Sequence, residues 1–309
     1  MTRWFKKLAA VSALALVAAC GSDDPVETFN LVETAKSDPK YSILVEAVVA
    51  ADLGATLSSP GPFTVFAPTN DAFAALLTEL GVTKAQLLAD KALLTSVLTY
   101  HVLPAQVLKA GVPPGKAITT VQGGIFKVDA VGTDLIVTDG RNRKSKITST
   151  DLIASNGVIH TIDKVLLPAN KNIVETAVAT PTLSILVEAV TAANLGATLS
   201  GTGPFTVFAP TDAAFAALLA ELGVTKAALL ANTSLLTKVL TYHVLPSRVL
   251  KADVPVGAPI PTVQGETFTV DAALAITDQR ARTSNIIATD VLTSNGVVHV
   301  IDKVILPRP

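Results

Sequence analysis

The strongest constraint on this 309-residue chain is that most of it is written twice. Gly61-Pro62-Phe63-Thr64-Val65-Phe66-Ala67-Pro68-Thr69 returns as Gly203-Pro204-Phe205-Thr206-Val207-Phe208-Ala209-Pro210-Thr211, and Leu98–Pro104 returns as Leu240–Pro246, at a constant offset of 142. Further on, Asp151 aligns with Asp290 and Asn156 with Asn295, an offset of 139, so the second copy lacks three residues. The gap falls between Ala130 and Thr138, where Gly132-Thr133-Asp134 has the composition of a turn. A deletion at a hairpin tip shortens a loop without flipping the side chains of the paired strands. A repeat of this length far exceeds a solenoid unit, so each copy is expected to be a complete domain with its own core. Only Ala169 to Lys171 separate the copies, with no Gly/Ser-rich or Pro-rich linker, which predicts two domains packed end to end with restricted mutual motion.

Inside each copy the apolar period changes half-way. Ile43, Leu44, Ala47 and Val48 predict a helix over Ser42–Leu53. Asn70, with Thr69 beside it, is placed to cap a helix Asp71–Leu80 that stops at Gly81, and Asp212 holds the Asn70 place in the second copy. A further helix is expected over Ala92–Leu98. Phe126–Asp129, Leu135–Thr138 and Val158–Asp163 then alternate with a period of two, as strands do. Helices first and short, mostly antiparallel strands after them make an α+β domain.

Half the residues are hydrophobic, 16% are charged and the net charge is −1, which excludes a disordered chain. Charge of both signs is spread evenly, so nucleic acid is not an expected partner. Mean hydropathy is +0.51, yet beyond the N-terminus no apolar run is long enough to span a bilayer. Residues 1–19 hold Arg3, Lys6 and Lys7, an apolar stretch from Leu8 and the small residues Ala18-Ala19 before Cys20, the pattern of a signal peptide. The stretch resembles a bacterial lipoprotein signal, which implies that Cys20, the one cysteine, carries diacylglycerol and anchors the chain to a membrane. Residues 20–28 are then the lipidated cysteine and a short polar tether, followed by domains at 29–168 and 171–307. Removal of Arg3, Lys6 and Lys7 from the 24 basic residues leaves 21 against 25 acidic ones. Gly21 after the cysteine, by resemblance to enterobacterial sorting, implies an exported protein at the outer membrane or cell surface rather than the inner membrane.

The sequence lacks a Gly-x-Ser-x-Gly elbow, a His-Glu-x-x-His pair and a phosphate-binding glycine loop. No catalytic residue, metal ligand set or cofactor is therefore expected, and the chain is read as a non-enzyme. The four histidines, His101, His160, His243 and His299, all belong to the repeat, and His160 and His299 sit mid-strand among apolar neighbours as core residues.

Thr64–Thr69, Tyr100-His101 and Ser155–His160 followed by Ile162-Asp163 and Leu166-Leu167-Pro168 occur in this order, and again at Thr206–Thr211, Tyr242-His243 and Ser294–His299. Together they resemble a fasciclin-like domain. The resemblance implies a β-wedge of two small, mostly antiparallel sheets with helices packed alongside. It also implies secreted or surface-anchored proteins that contact extracellular matrix, polysaccharide or a surface protein. It locates adhesive activity of some members near the tyrosine-histidine motif, here Tyr100, His101, Tyr242 and His243. Read from the residues alone, the same pairs at a helix-to-strand junction satisfy buried backbone groups.

One asymmetry stands out. The first copy carries Arg141, Arg143, Lys144 and Lys146 in an expected hairpin, where the second keeps Arg280 and Arg282. Such a cluster is a candidate grip for acidic polysaccharide or lipid headgroups, or else a solvated turn whose charge protects a sheet edge. Three functional readings follow: a lipid-anchored adhesion protein, a carrier of an apolar small molecule such as a lipid or carotenoid, and a structural envelope protein.

Overall fold

The computed structural model describes residues 29–309; the expected signal peptide (1–19) and the Cys20 anchor with its tether (20–28) lie outside the described residues. Each copy is built around its Phe-Thr-Val-Phe-Ala-Pro string. In the first copy the string is strand β1 (Phe63–Pro68), buried from Thr64 onward. Successive strand residues point to opposite faces. Val65 and Ala67 enter one apolar core and Phe66 enters another, so the strand separates two cores.

The first core is roofed by α1 (Leu31–Lys36), α2 (Ser42–Ala50), α3 (Gly54–Ser58), α4 (Asn70–Leu80), α5 (Lys84–Ala89) and α6 (Lys91–Tyr100). Then come β2 (Val102–Leu103), β3 (Ala117–Thr119), β4 (Ile125–Val131), β5 (Asp134–Thr138), β6 (Lys144–Ala154) and β7 (Gly157–Ile162). They form a seven-stranded run, β2-β1-β7-β6-β5-β4-β3, in which β1 and β7 pair in parallel and every other pair is antiparallel. Each domain thus holds one continuous seven-stranded sheet, and its wedge shape comes from bending along β6 and not from a break between two separate sheets. The β6–β7 register slips twice, between Ile147 and Leu152, and such bulges bend a strand. Phe66 of β1 thereby meets Phe126 of β4 edge-on at 5.0 Å although β7, β6 and β5 lie between them in the ladder.

The second copy repeats this with α7 (Ile173–Val178), α8 (Ser184–Ala192), α9 (Gly196–Leu199), β8 (Phe205–Pro210), α10 (Asp212–Leu222), α11 (Lys226–Ala231) and α12 (Thr233–Tyr242). Its strands are completed by β9 (Val244–Leu245), β10 (Ile260–Pro261), β11 (Thr267–Val270), β12 (Ala275–Thr277), β13 (Thr283–Thr293) and β14 (Gly296–Ile301). The missing three residues shorten the β11–β12 hairpin relative to β4–β5, as its turn composition predicts.

Local chemistry moves several predicted boundaries. Helix α2 ends at Ala50, short of Leu53, because Asp52 turns left-handed at φ 55°. Thr69, not Asn70, caps α4: its backbone is extended and its hydroxyl accepts the Ala72 amide at 3.3 Å. Asn70 is already helical, and its side chain instead accepts the Ile43 amide at the start of α2, 3.0 Å away, and donates to Pro39 O. Gly81 ends the helix at φ 66°, where a glycine carries no Cβ penalty. Helix α6 extends beyond Ala92–Leu98 on both sides, from an Asp90 cap to Tyr100.

One amide holds the helices to the sheet. Asn156, in the β6–β7 turn, accepts the Leu31 amide at 2.9 Å and donates to Leu57 O and Ser59 O, both at 2.8 Å. Asn295 does the same with Ile173, Leu199 and Gly201.

The domains are clamped at their junction. Lys127 Nζ of β4 lies 2.8 Å from Asp290 Oδ2 of β13, and Asn142 in the β5–β6 turn pairs with both backbone groups of Leu292, at 2.7 and 3.0 Å. Ile125, Leu250, Leu292 and Val297 form an apolar cluster across the boundary. The joining chain passes directly over Gly140, where a Cβ would stand 2.3 Å from Ala169 N.

Truncation of Asn156 or Asn295 to alanine strands three backbone partners. Each substitution is expected to destabilise its own domain by about 2–4 kcal/mol, seen as a lower urea midpoint for that domain's transition. A midpoint unchanged within error would contradict the anchoring role.

Candidate functional site

The tyrosine-histidine motifs lie at the ends of α6 and α12, where the chain turns into β2 and β9. Tyr100, His101, Tyr242 and His243 are all at most 1% exposed, so in this fold they offer no surface to a partner. The Tyr100 hydroxyl donates to Ile125 O and that of Tyr242 to Thr267 O. Burial pushes both hydroxyls well above the usual phenol range.

His101 Nδ1–H donates to Val97 O at 2.7 Å, and its Nε2 accepts the Leu166 amide at 2.9 Å. His243 joins Val239 O to the Ile305 amide in the same way. One nitrogen must donate and the other accept, so the geometry requires neutral imidazole. Burial holds the pKa of both rings down at about 4. Each ring ties the end of a helix to the closing segment of its domain.

The second histidine of each copy works in the sheet. His160 Nε2 donates to Val107 O at 2.8 Å, and Nδ1 accepts the Asp151 amide at 3.2 Å. The Thr64 hydroxyl completes the grip, accepting the Val107 amide and donating to Ala105 O. Asp151, at φ 60°, then accepts the Lys109 amide at 2.8 Å. His299, Thr206 and Asp290 repeat the arrangement around Val249 and Lys251. Among the described residues, no group of three or more His, Cys, Asp or Glu side chains is placed to hold a metal ion.

The basic cluster does lie in the β5–β6 hairpin, Arg141 and Arg143 in its turn and Lys144 and Lys146 on β6, but three of its four side chains are engaged within the domain. Arg143 bridges Glu79 at 2.7 Å and Asp139 at 2.9 Å, Lys146 meets Asp134 at 2.8 Å, and Arg141 Nε reaches Pro168 O. Only Lys144 of the four has no such partner among the described residues. Arg280 and Arg282 keep the equivalent contacts with Pro307 O and Glu221, which marks the two arginines as parts of the fold.

An apolar cavity recurs in both copies beneath the first three helices. In the first, about 90 Å³ is bounded by Leu31, Ala35, Leu44, Val48, Val65 and His101; in the second, about 60 Å³ is bounded by the matching Ile173, Ala177, Leu186, Val190, Val207 and His243. A different, polar cleft of about 330 Å³ opens at the domain junction between Gln122–Ile125, Pro168-Ala169, Arg248 and Thr293-Ser294.

The residues that join the domains were not singled out from the sequence, although a signal was present. Ile125, Lys127 and Asn142 stand where the second copy has Thr267, Thr269 and Ala281, in stretches that otherwise match closely.

A family model described as the fasciclin domain matches twice, over residues 39–168 and 181–307. Protein sll1483 of Synechocystis sp. is 46% identical over 143 residues, covering 45% of this chain and 73% of that protein. Transforming growth factor-beta-induced protein ig-h3 of Sus scrofa is 30% identical over 254 residues, 81% of this chain, but this chain spans only 35% of that protein's length. Among solved structures, a domain pair from the insect cell adhesion molecule fasciclin I is similar at 18% identity and a TM-score of 0.42, covering 89% of this chain and 95% of that one.

The buried imidazoles give the fold a pH dependence. An unfolded histidine takes up a proton near pH 6.5, whereas His101 and His243 resist until about 4. Between those values the unfolded chain binds more protons, so stability present above pH 6.5 is lost as pH falls toward 4, on the order of 3 kcal/mol per histidine. Imidazole resonances of His101 and His243 that titrate near pH 6.5 in the folded protein would refute this. The same geometry predicts that Arg143→Ser destabilises the first domain by about 1–3 kcal/mol while Lys144→Ser changes it by less than about 0.5, read as urea midpoints.

Proposed function

Because the chain belongs to the fasciclin family, we propose that it acts as a non-enzymatic adhesion or binding protein of the cell envelope, holding matrix, polysaccharide or a surface protein with its two domains. A lipid on Cys20 keeps it at the membrane, and the polar tether places the first domain within about 30 Å of the bilayer. The observation that carries this reading is the clamp between the domains. Lys127–Asp290 and Asn142–Leu292 hold two like modules in one arrangement, so their contact surfaces are offered as a fixed pair. Linked weak sites that engage together gain about 10²–10⁴ in avidity over either alone. The polar residues of the shared motifs are engaged within the fold, which leaves outer surfaces as the means of contact.

The test uses a labelled chain from Gly21 to Pro309 on cells and extracellular matrix of the producing organism. Saturable binding is expected, and Lys127→Ala combined with Asn142→Ala, which releases the clamp, should weaken it tenfold or more. Absence of saturable binding would refute the adhesive reading.

The cavity shared by both domains favours a second reading, carriage of an apolar small molecule. Its two volumes, about 90 and 60 Å³, are well below the roughly 300–1,000 Å³ of ordinary ligand pockets. A whole lipid or carotenoid would therefore require the first three helices to move apart. Organic extraction of protein purified from its own host decides the matter: a stoichiometric lipid or pigment supports carriage, and a clean extract removes it.

A further inference from the structure

The duplication provides an internal comparison, because one surface occurs twice and only one of its copies is covered. In the second domain, Leu250 and Leu292 are 0% and 2% exposed, with Asp290 beside them. The first domain covers them: Ile125 packs on the two leucines, Lys127 meets the free oxygen of Asp290, and Asn142 pairs with the Leu292 backbone. The first domain carries the same surface as Leu108, Ile153 and Asp151, and here Leu108 is 43% and Ile153 59% exposed.

The surface is built alike in both places. His160 and His299 fix the loop carbonyl and the aspartate amide, and Asp151 and Asp290 use Oδ1 on the following lysine amide. Asp290 Oδ2 then accepts Lys127, whereas Asp151 Oδ2 has no partner among the described residues.

We infer that the Leu108–Asp151–Ile153 surface of the first domain is a docking site for a fasciclin domain of another polypeptide, one that presents a lysine and an aliphatic residue from its equivalent of β4. A face that receives a different face, rather than its own copy, makes a head-to-tail contact that can be extended. The chemistry also says which domain does not fit. The second domain of another copy offers Thr267, Thr269 and Ala281 in place of Ile125, Lys127 and Asn142, and its Asp271 would approach Asp151. The first domain of another copy has its lysine face already occupied by its own second domain. The partner is therefore a different chain that keeps the lysine. The inference is independent of the adhesive reading, since a carrier could dock in the same way.

The test restores the complementary face within this protein. In the chain from Gly21 to Pro309, Thr267→Ile, Thr269→Lys and Ala281→Asn together rebuild the donor face on the second domain, and sedimentation equilibrium reads the mass. The wild type is expected to stay monomeric. The triple variant is expected to associate head to tail, with a weight-average mass rising at least about twofold over the concentration series. Adding Asp151→Lys should return it to monomer, and Ile153→Ser serves as a second, milder block. Matching circular dichroism and thermal unfolding confirm that each variant is folded. A monomeric triple variant overturns the proposal. Association that survives both Asp151→Lys and Ile153→Ser overturns it as well, and wild-type self-association abolished by Asp151→Lys would replace the different-chain partner with a second copy.

Discussion

Everything in each domain is arranged about one strand that water reaches from neither side. β1 and β8 are covered by helices on one face and by the folded-over sheet on the other, which is why their sequence is nearly continuously apolar. Parallel pairing with β7 or β14 places the last strand of the domain beside the first and brings the closing segment under the helices. The polar exceptions in these strands are matched at once: Thr64 and Thr206 each clamp both sides of a loop peptide. An unmatched hydroxyl there would cost about 1–3 kcal/mol.

The histidines extend the same logic outward. His101 and His243 connect helix ends to the closing segments, and His160 and His299 connect the sheet to the loop before Lys109 or Lys251. Each ring serves as a rigid crossbrace with one donor and one acceptor, a role for which no aliphatic side chain substitutes. The lysine at the junction shows the opposite balance. Burial pulls the Lys127 ammonium toward deprotonation, but the Asp290 and Asp129 carboxylates outweigh it and hold the pKa above the usual lysine value. The Lys127 ammonium is therefore held charged although the clamp is largely shielded from solvent.

Much of this was legible in the sequence. The duplication gave two domains, the change of period gave α+β, and Gly81 and the Gly132 turn marked where elements end. The wedge itself was not derivable from periodicity, because it depends on bulges in β6 that place Phe66 against Phe126 across the ladder. Short helices such as α1 and α3 are also invisible to a periodic search, being fixed by Asn156 from more than ninety residues away. At the candidate sites, reading the tyrosine-histidine pairs as hydrogen-bond partners for the backbone matched their surroundings. Four basic residues read in sequence could not reveal that Glu79 approaches them from α4, or that Asp139 and Asp134 of their own hairpin turn onto them.

The crossing over Gly140 gives the molecule a direction. The matching residue in the second copy is Gln279, whose side chain is engaged with Thr267 and Arg308, so there a side chain fills the place that Gly140 leaves to the backbone of Ala169. Transposing the two halves of the gene would set a glutamine beneath the crossing and a threonine where the lysine belongs. The copies descend from one pattern but have become leader and follower, and their sequence along the chain is as much a physical property as the fold of either.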